Sequence, residues 1–370
     1  MATAAPTPPA PKTETKPSVL NRAWDLNLVR NLLICLAVLV VGVIALESTD
    51  AFQNTQLTSL AYYAIAAFGL TALTGLNGQI SLGHGALMAV GAYTTALFLG
   101  AEEPLPFPVI ALAAVVVTSL VGVVVGAAAA RLHGPYLAGA TLALAVALPS
   151  LALYFKETLG GDAGLKVSSP QAPDWFVSMI ETLSGNLASS TKYVAYIACV
   201  ALVVSLFFVL NLKRSKVGRH WRAVRDNDVA AEIAGIHLGR TRVQAFVISA
   251  AYAGLAGAVM AIAVRLAAPS AFTIVLSLSV LTAVVIGGLG SITGAVIGAA
   301  VLVFLPPWVT GFATDSGLSD TQAAEMAPLV YGIVLVLVML LAPGGLMGTV
   351  SNAWRRTRQR RLAKQASSAS

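Results

Sequence analysis

The chain has 370 residues, of which 57% are hydrophobic and only 11% charged, and its mean hydropathy is +0.81. Soluble domains carry about 25% charged residues, so this composition excludes an ordinary soluble fold. The net charge of +7 lies mostly in one internal loop and the C-terminal tail; this follows the topology of a membrane protein and is no sign of nucleic-acid binding.

Residues 1–18, MATAAPTPPAPKTETKPS, are rich in Pro, Thr and Ala and contain no apolar core. They are expected to form part of a disordered tail over 1–27, with the first span acting as a retained signal-anchor. A span needs about 20 apolar residues to cross a hydrocarbon core of about 30 Å. Ten segments meet or approach this, at 28–46, 57–74, 84–100, 107–130, 135–155, 193–212, 242–264, 272–288, 291–305 and 327–342. The expected fold is therefore an all-α polytopic membrane protein. The third and eighth spans adjoin glycine-rich stretches and are expected to be broken or re-entrant.

Ten spans put both termini on one side. Arg22, Arg30, Arg131, the loop 213–242 and the basic tail 349–370 all fall on that side, which is expected to be cytoplasmic. The other side carries Glu47, Asp50, Glu102, Glu103, Asp315, Asp320 and Glu325, with few cations. Cys35 and Cys199 are placed toward opposite faces and are expected to be free packing residues.

The first polar interruption, Thr74 to Gly85, places Asn77, Gln79, Ser81 and His84 between apolar runs. Irregular backbone survives in hydrocarbon only where protein or a watery cavity covers it, and broken helices mark transport pathways. The alternative is a turn with a helix cap at Asn77 and close packing through glycine. The long segment 156–192 is expected on the external side, with a short interfacial helix near 174–186.

The loop 213–242 holds eight Lys/Arg against three Asp/Glu. It divides into two short helices. In the first, Arg219, Arg222 and Arg225 form a basic stripe, with Trp221 and Val224 on another face. Asp226, Asn227 and Asp228 then offer N-caps. The second helix covers 229–234, with Glu232 in its first turn and Gly235 as its stop. Val229, Ile233 and Ile236 form one apolar face on a helix too short to stand alone. Such a helix fits a protein groove; the alternative is anionic lipid.

The second glycine-rich stretch runs from Ile286 to Gly298. Gly290, Gly294 and Gly298 recur every four residues and are expected to make a bare packing face, with Gly287 and Gly288 beside it. No dinucleotide fold surrounds this stretch. No Gly-Lys pair exists, so a phosphate-cradling loop is excluded, and the four histidines form no metal pattern. The chain is not expected to be an enzyme or to bind a cofactor or metal. No Asp, Glu or Lys lies inside a span, which argues against an ion-coupled carrier.

The runs Gly75–Ala86, Arg131–Ala138, Ala223–Glu232 and Gly287–Gly294 together resemble the permeases of bacterial branched-chain amino acid ABC importers, in the order of the LivM-like member of the pair. The resemblance covers roughly 28–348. It implies the importer permease fold in a bacterial inner membrane. It also implies a heterodimer with a LivH-like permease, two cytoplasmic ATPase subunits that use ATP and Mg, and an external solute-binding protein. Residues Arg225, Asp226, Asn227, Asp228, Ala231, Glu232, Ile233, Gly235 and Ile236 would then couple to the ATPase. Asn77, Gln79, Ser81 and His84, with Thr141 and Thr282, would line the solute path. Urea or short amides are the alternative solutes, and a secondary transporter or channel is the rival from another class.

Overall fold

The computed structural model describes residues 26–103, 105–132, 135–184, 189–342 and 344–349. The expected terminal tails lie almost entirely outside the described residues, as do His133 and Gly134. The protein is helical, with elements α1 (Leu26–Ser48), α2 (Ala51–Leu70), α3 (His84–Leu99), α4 (Phe107–Ala129), α5 (Pro135–Tyr154), α6 (Lys156–Leu159) and α7 (Asp174–Ser184). They are followed by α8 (Ser190–Arg214), α9 (Lys216–Asp226), α10 (Asp228–Ile233), α11 (Leu238–Val264), α12 (Ile274–Gly287), α13 (Ile292–Asp315) and α14 (Asp320–Leu341). Among the described residues, eight helices are long and apolar enough to cross a membrane. The shorter apolar helices α3 and α12 complete the expected ten. These two are the spans whose flanking glycines marked them as broken.

Two boundaries move for identifiable reasons. α13 continues to Asp315 through Pro306 and Pro307; membrane helices tolerate interior proline where nearby hydroxyls and neighbours satisfy the freed groups, and Thr310 Oγ1 donates to the Pro306 carbonyl at 3.0 Å. α14 starts at Asp320 rather than near 327. Ser319 and Gln322 there form a reciprocal capping box that satisfies orphan donors ahead of the apolar run.

α11 is the hub. It packs on α2, α3, α4 and α8, and its buried face is Ala250, Ala253, Gly254, Ala256, Gly257, Ala258 and Ala261. Small residues let backbones approach closely where lipid leaves little hydrophobic drive between helices. α2 is also mostly buried, whereas α1 and α14 expose most of their apolar surface. Exposed Leu32, Leu33, Val41 and Ile44 on α1, and Leu337, Leu340 and Leu341 on α14, are what hydrocarbon or another apolar helix would cover.

α1 is clipped to α8 at both ends. Asn31 Nδ2 donates to Asn211 Oδ1 at 3.0 Å. At the other end Lys192 Nζ lies 2.6 Å from Glu47 Oε2, and the Tyr196 hydroxyl donates to Glu47 Oε1. Both charges are largely buried and each has a partner, the condition under which buried charges are tolerated. The segment between α5 and α8 folds back onto the end of α11. β1 (Leu165–Lys166) pairs antiparallel with β2 (Leu266–Ala267), Leu165 opposite Ala267. α7 falls within the expected 174–186, and its Phe176 packs on Tyr193 and Tyr196 of α8.

Both cysteines are free. Gly42 on α1 faces Cys199 on α8, and a Cβ built on Gly42 would lie 2.6 Å from the Cys199 sulfur. A Gly42→Cys variant is therefore expected to form a disulfide with Cys199 under mild oxidant. Protection from thiol-reactive polyethylene glycol, reversed by reductant, checks this; no protection would contradict the α1–α8 register.

Candidate translocation and coupling site

α2 does not end as an ordinary helix. Thr71–Leu76 form a π-helical turn, a feature frequent at functional sites. Beyond it Gly78 takes a φ of +83°, open to glycine at no steric cost. Thr74 fastens the turn, since its hydroxyl donates to the Gln79 carbonyl at 3.0 Å. The backbone then runs irregularly to α3, which starts at His84.

The start of α3 leaves orphan N–H groups, and two neighbouring helices satisfy some of them. Leu82 N–H donates to Thr141 Oγ1 of α5 at 3.0 Å. Gly85 N–H donates to Ser277 Oγ of α12 at 3.0 Å. This explains the glycines of the stretch. A Cβ on Gly83 would press on the Thr141 carbonyl, and one on Gly85 would press on Ser277 Oγ. Ser277 was not singled out from sequence. It is fully buried, but it shares its span with Ser279 and Thr282, and nothing in the sequence separates the three hydroxyls.

Asn77, Gln79, Ser81, His84 and Thr141 are all buried. Gln79 Nε2 donates to Asn77 Oδ1 and, at 3.3 Å, to the Arg242 carbonyl. The His84 ring faces the Ala66 carbonyl and packs against Gly69. Thr282 does not join them. It lies on another side of α12, beside the Tyr331 hydroxyl of α14, because α12 turns Ser277 rather than Thr282 toward the break.

The second break joins α12 to α13. Gly294 meets the Gly287 carbonyl and Gly298 meets the Ala283 carbonyl so closely that neither could carry a Cβ. The expected bare face therefore exists for these two positions. Gly290 is the correction. It precedes the helix, with a φ of +79°, because Ser291 caps α13 by accepting from Gly294 N–H at 3.0 Å. Gly290 packs instead on the first break, where a Cβ on Gly75 would collide with its backbone. Gly288 contacts the Gly344–Gly345 turn.

Cations from the basic loop close both breaks. Arg225 Nη1 donates to the Gly75 carbonyl, and its stem lies against Gly78. Lys213 Nζ donates to the Gly290 carbonyl at 2.9 Å. Gly75 lies in the last turn of its helix, where partial negative charge and unpaired carbonyls favour a cation; Gly290 is a loop carbonyl just ahead of α13, and Lys213 meets it as a plain charged hydrogen bond. Hydrogen bonds to charged donors contribute about 1.5–3 kcal/mol each.

α9 inserts a fully buried Trp221 among Leu73, Leu76, Ala245 and Phe246. α10 follows at once. Asn227 caps it, accepting from Ala230 N–H at 2.9 Å. Gly235, with a φ of +84°, stops it, and Ile236 N–H returns to the Ala231 carbonyl at 3.0 Å, the pattern of a Schellman stop. Ala231 is buried, whereas Val229 and Ile233 are 63% and 84% exposed. Asp226 is salt-bridged to Arg225, and Asp228 lies 3.5 Å from Arg242. Glu232 is exposed. No group of His, Cys, Asp and Glu suited to a metal occurs among the described residues.

A multi-helix membrane bundle with two glycine-rich breaks, tied to a capped amphipathic loop helix, defines a membrane permease. The comparisons give its family. A family model described as a branched-chain amino acid transport system permease component matches residues 54–339. The chain is 30% identical to the high-affinity branched-chain amino acid transport system permease protein LivM of Salmonella typhimurium over 363 residues, covering 91% of this chain and 80% of the relative. It is likewise 30% identical to LivM of Escherichia coli, with 91% and 79% covered. To LivH of Escherichia coli it is 26% identical, with 77% and 91% covered. The chain belongs to this permease family. No solved structure matches it.

Removing the two hydroxyl caps by Thr141→Val and Ser277→Ala is expected to cost about 1 kcal/mol each. The double variant should lower the melting temperature of the purified protein, read by intrinsic fluorescence, by more than either single change. Unaltered melting would show that these caps do not hold α3.

Proposed function

We propose that this chain is a membrane-spanning permease subunit of an ATP-driven importer that moves leucine, isoleucine and valine into the cytoplasm by alternating access. Its setting is the bacterial inner membrane, with the basic face and both termini cytoplasmic. Its partners are a second, LivH-like permease, two ATPase subunits that use ATP and Mg, and an external solute-binding protein. The relatives' names support the solute class and the pairing of two permeases.

The observation that carries the reading is α10. It is a six-residue helix, too short to be stable alone, yet it is capped at both ends and presents Val229 and Ile233 outward. An ATPase groove would bury these side chains, and each exposed aliphatic contributes about 1.5–3 kcal/mol when fully buried. α10 is joined directly to Arg225 and Asp228, which reach the first break and Arg242. Closure of the ATPases would thus pull on the broken helices through short, charged contacts. The solute would cross beside Asn77, Gln79, Ser81, His84 and Thr141. The lack of Asp, Glu or Lys deep within the described spans suits a zwitterion carried without a counter-charge.

Replacing Glu232 with Arg and Ile233 with Asp should abolish labelled-leucine uptake by the full complex while membrane insertion stays normal. Uptake at the wild-type rate would remove α10 from the coupling path. Uptake of urea in place of leucine, isoleucine and valine by the unmodified complex would replace the solute assignment.

A further inference from the structure

The first break opens onto a cavity of about 510 Å³ between the π-turn, α5, α9, α10 and α11. Two buried amides line it, Asn77 at 3% exposure and Gln79 at 6%. They bond to each other, and Gln79 also donates to the Arg242 carbonyl. One donor and one acceptor are then left over: Asn77 Nδ2 and Gln79 Oε1 have no hydrogen-bond partner. Leaving such groups buried and unmatched costs about 1–3 kcal/mol each. A folded protein keeps them where a ligand or solvent completes them.

The rest of the lining states what kind of ligand. Arg225, Arg242 and Asp228 line the cavity; Arg225 is also held by Asp226 and the Gly75 carbonyl, which leaves part of its guanidinium for a ligand. The Arg242–Asp228 pair is loose at 3.5 Å, and the Asp228 side chain is 49% exposed. The exposed Asp228 carboxylate retains acceptor capacity for a further donor. The opposite wall is aliphatic, formed by Ile80, Leu132, Leu137 and Val224. Guanidinium groups and an amide donor suit a carboxylate. A carboxylate side chain and an amide acceptor suit an ammonium. The aliphatic wall suits an apolar side chain. Urea would use the amide pair but leave the ionic groups and the wall unmatched.

We propose that this cavity is a product site, which takes an aliphatic amino acid in its zwitterionic form from the cytoplasm and slows the transport cycle when occupied. The inference rests on the importer reading above. Its regulatory part follows from where the lining residues lie. Asn77 and Gln79 belong to the break, whereas Val224, Arg225 and Asp228 belong to the loop that carries α10. A ligand bridging the two binds one arrangement of break and loop more tightly than any other, and so opposes movement between them. High internal product would then restrain its own import.

The test uses the assembled complex in proteoliposomes, with the binding protein outside, ATP in the lumen and unlabelled L-leucine or urea preloaded in the lumen. Initial uptake of labelled leucine should fall at least about threefold as lumen leucine rises to about 10 mM, the range expected for a weak product site. Lumen urea should have no such effect. Relative to its own uninhibited rate, a Gln79→Leu variant should need at least about tenfold more lumen leucine, as loss of a buried polar partner implies. Ala138→Phe, which adds bulk to the cavity from α5 and leaves both amides in the sequence, should do the same. Direct binding of labelled L-leucine to the purified complex, without ATP or binding protein, tests the site independently of transport. Saturable binding lost in both variants supports it. Vigorous uptake that ignores lumen leucine, or equal inhibition by urea, overturns the product site while leaving the importer reading intact. Absent leucine uptake by the wild-type complex strikes the importer reading, and absent leucine binding in the same preparation overturns the product site too.

Discussion

Two helices of this bundle stop where their backbone still needs partners, and side chains from one loop supply them. Hydrocarbon offers no hydrogen bonds, so a break in a membrane helix persists only if protein or a watery cavity satisfies the freed groups. At the first break Arg225 takes the Gly75 carbonyl. At the second, Lys213 takes the Gly290 carbonyl. Gly75 and Gly290 touch backbone to backbone, so the two breaks and the two cations form one junction. Trp221, buried beneath it, fixes α9 in position to deliver Arg225.

This junction gives the basic loop a second role. Positive charge on one face follows from topology, and most of the loop's cations need no other explanation. Arg225, Lys213 and Arg242 are different, because each reaches a particular group at or near a break. α10 is attached to the same junction by Asn227 and Asp228. In the proposed importer, a groove that grips Val229 and Ile233 therefore grips the ends of α2 and α12 indirectly. The path is short and polar, and it contains discrete contacts that can be made or broken.

Much of the fold was legible in the sequence because hydrocarbon imposes a simple rule on apolar run length. The ten helices, the two shortened ones and the capped loop helix all follow from local patterns. Asn227 and Gly235 were readable as cap and stop because those residue types have conformational reasons to be there. The junction was not readable. A cation that bonds a distant backbone carbonyl leaves no residue-type signature at the carbonyl. Gly290 misled for a related reason: its spacing from Gly294 and Gly298 imitates a helix face, while Ser291 starts the helix one residue later. Ser277 and the α1–α8 clips were hidden similarly, since a hydroxyl or amide in an apolar span does not reveal its partner. Thr282 had the right chemistry but the wrong side of its helix.

The central claim is that Arg225 transmits movement of the loop to the broken helices. The most direct measurement is the ATP hydrolysed per leucine transported by the reconstituted complex, in Arg225→Met and Arg225→Lys variants. Methionine keeps much of the stem against Gly78 but cannot donate to Gly75; lysine keeps one charged donor. The account predicts that the methionine variant hydrolyses ATP with little uptake, and that the lysine variant recovers much of the wild-type ratio. A methionine variant that transports leucine at the wild-type ratio would contradict it.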